Sequence, residues 1–142
     1  MENDFIDFAA HVLNVPAATL SPATAKGSLP QFDSIAFIRL IMETEARYGF
    51  KFTLEETASL ETLGDVLARA KEAKFLSEMA LCLENDAVSF DTVFTDVEGW
   101  CSLMAFSVLI AIEREFSVQI EISRLLACRT IGDIAVLAGV RR

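Results

Sequence analysis

The chain repeats itself at an offset of 68 residues, and this limits its fold more than any other feature. Laid over one another without a gap, Asp33 to Ala70 and Cys101 to Ala138 share Ser34/Ser102, Glu45/Glu113, Thr62/Thr130, Gly64/Gly132, Asp65/Asp133 and Ala70/Ala138. So few identities would be weak alone, but the apolar positions keep register as well. Ile35/Leu103, Leu40/Val108, Ile41/Leu109, Tyr48/Phe116, Phe50/Val118, Phe52/Ile120, Leu63/Ile131 and Val66/Ile134 match in kind, and Phe32 pairs with Trp100 just upstream. A repeat of this length is one supersecondary unit copied once. A chain of 142 residues has room for one domain or two small ones. The repeat favours two, residues 1–73 and 74–142.

Each half reads as helices joined by loops. Asp4 to Leu13 carries Phe5, Phe8, Ala9 and Val12 at helical spacing. A long loop from Asn14 to Asp33 follows, broken by Pro16, Pro22, Gly27 and Pro30. A second helix is expected from Ser34 to Tyr48, with Ile35, Ile38, Ile41 and Tyr48 on one face and Leu40 beside it, ended by Gly49. Thr53 to Glu56 has capping-box spacing and opens a short third helix; Thr62 to Asp65 opens a fourth in the same way. The second half predicts helices over Phe75 to Leu83, Ser102 to Phe116, Glu121 to Leu126 and Thr130 to Leu137. Only Val118 to Ile122 alternates like a strand, and it is short. Between Gly64 and Gly99 there is no Gly or Pro, and apolar residues continue every three or four positions from Val66 to Leu83. The last helix of the first half is therefore expected to run into the first helix of the second, unlike a flexible linker.

Composition removes several functions. No apolar run reaches the ~18 residues that a membrane span needs. The start, MENDFIDF, lacks the basic and apolar stretches of a signal peptide, so a cytoplasmic protein is expected. The net charge of −9 repels nucleic acid phosphates and attracts basic partner surfaces. It is shared evenly, with eleven acidic against six basic side chains before Lys74 and ten against six from Lys74 onward. The three cysteines, Cys82, Cys101 and Cys128, form no CxxC pair, and His11 is the single histidine, so neither a disulfide framework nor a metal site is expected. His11 reads as an ordinary residue of the first helix. No nucleophile has a base beside it, so no catalytic residue and no enzyme is expected.

The chemistry lies where a long loop enters an amphipathic helix. Asp33-Ser34-Ile35, within GSLPQFDSIAF from Gly27 to Phe37, resembles the Asp-Ser-Leu motif that opens the second helix of acyl carrier proteins. The resemblance covers essentially the whole chain, once per half. It implies an all-α protein of two acyl-carrier-like four-helix bundles in tandem. It also implies that Ser34 is esterified with 4′-phosphopantetheine. A serine at a helix N-terminus suits this, because free backbone N–H groups and the helix dipole favour the phosphodiester charge. Asp-Ser is also a common N-cap with no chemistry attached.

The second half departs from the pattern. Cys101-Ser102-Leu103, reached through FTDVEGWCSL, keeps serine and leucine but lacks the aspartate, which in the family helps a transferase recognise its target. Ser102 is thus a second candidate for the arm, or merely a helix cap. Cys101 is either a thiol activated by the helix end or an inert loop residue. Family members dock basic enzymes through acidic residues on the second helix. Here Arg39 stands where an acid is common, Glu43 and Glu45 remain, and Met42 occupies an apolar contact position. Phe37 is expected to be partly exposed. In the second half Met104, Ala105, Ser107 and Ile110 are expected outward, with Glu113 and Glu115 as the acids.

The resemblance implies a carrier of acyl thioesters for lipid, fatty acid, polyketide or related biosynthesis. Its partners would be a phosphopantetheinyl transferase and acyl-loading, acyl-transfer or condensing enzymes, outside a generic fatty-acid synthase set. The alternatives are an unmodified helical adaptor, above all for the second half, and a peptidyl carrier.

Overall fold

The structure, a computed structural model, describes residues 1–142 and contains seven α-helices and no strand. They are α1 (Glu2–Leu13), α2 (Ser34–Tyr48), α3 (Leu54–Ser59), α4 (Leu63–Leu83), α5 (Ser102–Phe116), α6 (Ile122–Leu126) and α7 (Ile131–Leu137). Val118 to Ile122 pairs with nothing as a strand. The chain divides into two compact units, Met1–Ala73 and Lys74–Arg142. The expected helix from Phe75 to Leu83 is the second part of α4, which continues without a break across residue 73.

The first unit packs one face of α1, α2 and the start of α4 into a single core, while α3 buries no residue. Phe5, Ala9 and Leu13 of α1 meet Phe37, Leu40 and Ile41 of α2, with Phe32, Leu60, Leu63, Val66 and Leu67 closing the cluster. Helix α1 begins two residues earlier than its apolar spacing predicts and ends at Asn14, whose φ of 56° is left-handed. Val15 N–H then donates to the Ala10 carbonyl at 3.0 Å, closing the helix end. Gly49 ends α2 at φ 71°, a conformation glycine adopts without a Cβ penalty.

The buried face of α2 is only partly the expected one: Leu40 and Ile41 are inside as expected, but Ile35 and Ile38 are not. Ala36, Phe37, Leu40, Ile41 and Thr44 face the core, whereas Ile35 is 71% exposed and Ile38 and Met42 are exposed too. Phe37, expected at the surface, is 6% exposed and lies beside Phe32 with ring centroids 6.1 Å apart. The cause is compositional. Residues 35–38 and 40–42 are all apolar, so apolar spacing alone fits more than one helical phase.

The second unit builds a separate core from Phe75, Met79 and Leu83 of α4, Ala105, Val108 and Ile112 of α5, Leu125, and Ile131, Ile134 and Ala135 of α7, with Phe94 and Val97 from the loop. Phe75, Met79 and Leu83 take the roles of Phe5, Ala9 and Leu13, because the loop into α5 is two residues shorter than the loop into α2. Ala105, expected outward, is buried.

The repeated identities acquire physical reasons. Thr62 and Thr130 each accept a hydrogen bond from the backbone of Asp65 and Asp133 at 3.2 Å, and each aspartate accepts the threonine N–H in return at 3.1 Å. Gly64 N–H donates to the Pro22 carbonyl, and Gly132 N–H to the Phe90 carbonyl, both at 2.8 Å. A Cβ at either glycine would come within 2.9 Å of that same carbonyl oxygen, too close to be accommodated. The loop therefore crosses the start of the last helix in the same way twice, with isolated bridges Ala25–Thr62 and Val93–Thr130. Ala70 and Ala138 are buried. Glu45 accepts the Phe52 N–H at 2.8 Å, and Glu113 accepts the Gln119 side-chain amide at 2.9 Å.

Candidate functional site

One repeated identity has no such structural task. Ser34 and Ser102 are exposed first residues of α2 and α5, and neither hydroxyl is engaged within its own unit. Neither serine is the helix cap. The N-cap of α2 is Asp33, whose Oδ1 accepts the Ala36 N–H at 2.8 Å. The N-cap of α5 is Cys101, in extended backbone, and its side chain makes no capping bond. The reading of Ser102 as a plain cap is thereby corrected.

Both helices are 15 residues long, with a full peptide dipole behind the serine. The first intrahelical bonds run from Phe37 N–H to the Asp33 carbonyl at 2.9 Å and from Ala105 N–H to the Cys101 carbonyl at 3.2 Å. The three N–H groups before each of these lie in the first turn, where no preceding carbonyl is available. On α2 the Ala36 N–H is already taken by Asp33, and the other first-turn donors face an anion attached to the serine oxygen together with solvent rather than an apolar wall. The residues present thus fit a phosphodiester-linked arm at either serine.

Along each helix beyond the serine runs an exposed apolar stripe. Ile35, Ile38 and Met42 form it on α2; Leu103, Phe106 and Ile110 form it on α5, at corresponding positions of the repeat. Phe106 is 56% exposed. Of the contact residues expected from sequence, Met42 and Ile110 belong to these stripes, whereas Phe37 and Ala105 do not. Ile35, Ile38, Leu103 and Phe106 escaped because their spacing also suits a core face; their shared register across the repeat was the signal. Arg39 and Glu43 flank the stripe of α2, and both are exposed. On α5 no charged residue occurs from Ser102 to Ile112. Glu45, expected on the docking face, is only half-exposed and is used by the Phe52 N–H.

Of the other reactive groups, only Cys101 adjoins a candidate serine. Burial, with the Glu78 carboxylate nearby, pushes the Cys82 thiol up from its ordinary range; burial and Asp133 do the same to Cys128. Cys101 alone of the three is exposed. No group of His, Cys, Asp and Glu is arranged to hold a metal ion, and no helix is long and apolar enough to cross a membrane. His11 is an exposed residue in the last turn of α1, bordering a cleft with Asn14, Pro16 and Arg39.

No curated protein and no solved structure matches the chain. Residues 79–137 match the family model described as phosphopantetheine attachment site. The matched segment runs from the second part of α4 to the end of α7 and includes Ser102. Residues 79–137 are therefore similar to a family of non-catalytic carrier domains that hold 4′-phosphopantetheine covalently.

Proposed function

We propose that the chain is a double acyl carrier, built as two acyl-carrier-like four-helix bundles at residues 1–73 and 74–142, with arms on Ser34 and Ser102. The single observation that carries this reading is the twofold occurrence of an exposed serine at the first position of a 15-residue helix, once within the segment that matches the attachment-site family. Asp33 gives Ser34 the fuller motif, and the family match supports Ser102. In the loading step the serine oxygen bonds to the pantetheine phosphorus of coenzyme A as the bond to the nucleotide phosphate breaks. The serine proton leaves to the transferase. The thiol at the end of the arm then holds acyl groups as thioesters, and the tether raises their effective concentration at partner enzymes. The stripes on α2 and α5 lie beside the serines and serve as contact surfaces for those enzymes. Their apolar character favours partners with an apolar groove, such as a dedicated loading or condensing enzyme.

A second reading follows from Cys101. Without the aspartate that the family motif carries, the second unit would act as an unmodified docking module. Intact mass after incubation with coenzyme A and a broad phosphopantetheinyl transferase separates the two. A double carrier gains two arms, one lost in Ser34→Ala and one in Ser102→Ala. A gain of one arm, lost only in Ser34→Ala, makes the second unit an adaptor. No gain in any sample defeats the carrier reading in favour of the adaptor.

A further inference from the structure

The two serine sites differ at the residue just before the serine, and the difference reaches the backbone. In the first unit a carboxylate oxygen already occupies the third N–H of the helix, since Asp33 Oδ1 lies 2.8 Å from Ala36 N. The corresponding N–H in the second unit belongs to Met104, and Cys101 offers it no side-chain bond. The same donor is thus anion-bound in one unit and open in the other.

Resting on the proposed attachment at Ser102, we infer that the phosphodiester of the arm serves as the missing cap of α5, accepting the Met104 N–H that Asp33 blocks at the equivalent position of α2. Loading then tightens the start of α5 and leaves the start of α2 unchanged. The chemistry is complementary on both sides. At Ser34 a second anion beside the Asp33 carboxylate adds like-charge repulsion and finds the third donor taken. At Ser102 the neighbouring thiol group is not a carboxylate, and the phosphodiester meets an open donor at the positive end of the helix dipole. Cys101 in place of aspartate therefore makes the order of α5 depend on whether the arm is present. A partner that reads Leu103, next to the serine, and Phe106, one turn on, would sense loading through the helix itself.

The test is amide solvent exchange by NMR on the full chain, before and after loading from coenzyme A, with intact mass counting the arms. Side-chain caps change helix-end equilibria by about fivefold. Met104 N–H exchange should slow by about that factor on loading, while Ala36 N–H should not change. In Cys101→Asp the Met104 N–H should already be protected without the arm, and loading should add nothing further. Equal Met104 exchange with and without an arm on Ser102 overturns the inference and leaves the attachment standing. An unloaded Ser102 removes the attachment and the inference together. Unprotected Met104 N–H in the unloaded Cys101→Asp variant shows that the helix end takes no cap there, and that also overturns the inference.

Discussion

The two units fill the entry to their serine-bearing helices with different side chains at matching positions. In the first, Phe32 is fully buried and packs beside Phe37, while Lys26 sets its ammonium over the Phe37 ring at 4.7 Å. In the second, the corresponding residues are Trp100, Ala105 and Phe94. There Phe94 is the buried ring, and it meets the half-buried Trp100 edge-on with centroids 5.1 Å apart. A large ring leaves position 105 and another arrives at position 94, so bulk moves from the helix to the loop. The base of the two units differs in the same spirit. Arg47 lies over the Phe8 ring at 4.9 Å in the first unit. The second uses charges instead, with Glu78 between Lys74 at 3.2 Å and Arg114 at 3.1 Å, and Glu115 joining both cations. The lesson is that a close-packed core constrains total volume and polar satisfaction more tightly than the identity at any one position.

That comparison can be broken by truncating the ring on which each unit relies. Phe37→Ala should destabilise the first unit by about 3 kcal/mol or more, although alanine is the natural residue at the matching position 105. Phe94→Ala should cost the second unit a similar amount, whereas Lys26→Ala at the corresponding position should cost less than about 1 kcal/mol. Denaturant melts followed by unit-specific probes would decide it; a small loss in Phe37→Ala would mean that the two sets of rings do not substitute for one another.

The charged base of the second unit gives the next effect. The Glu78 side chain is 9% exposed, but Arg114 is 59% exposed and Lys74 also reaches water. Glu78→Gln should therefore cost only about 1 to 2 kcal/mol, below the range for fully buried pairs. A loss that disappears in high salt would mark the network as a surface one.

The caps should behave alike in both units, which sharpens the contrast with the cores. Thr62→Ala and Thr130→Ala each remove the acceptor for an aspartate N–H, and each should cost about 1 kcal/mol. Acid should act on the same two boxes. The Glu61 N–H, with help from Thr62, holds the Asp65 carboxyl below the usual carboxylate range; the Thr130 and Arg129 N–H groups do so for Asp133. A depressed native pKa gives stability that is complete above the unfolded value and is lost as pH falls through the native one. Both units should thus weaken below the ordinary aspartate range, and Asp65→Asn with Asp133→Asn should flatten that limb of the pH–stability curve. An unaltered acid limb in the double variant would assign acid loss elsewhere.

The smallest effect concerns thiols. Iodoacetamide at neutral pH should label exposed Cys101 before Cys128 and Cys82, whose thiols burial has pushed up. Peptide mapping would show the order, and early labelling at Cys82 would mean that the second core opens readily.

The amino-acid sequence determined the ends of the helices and the repeat. Ser34, Gly49, Ser102, Thr53, Thr62 and Thr130 mark helix boundaries through short-range geometry, and the structure has its helix ends there or one residue away. The unbroken run from Val66 to Leu83 was legible too, because no Gly or Pro lies between Gly64 and Gly99. Only the tertiary structure decided which apolar face of α2 and α5 is inside. Both helices carry apolar residues on two sides, so the choice fell to the packing partners, with Phe5, Ala9 and Leu13 selecting Phe37 and Leu40 over Ile35 and Ile38. It also decided that Cys101 rather than Ser102 occupies the cap, a matter of one residue in register. Local hydrogen bonding acts over three or four residues and is written in the sequence, whereas the buried face depends on contacts between segments far apart along the chain.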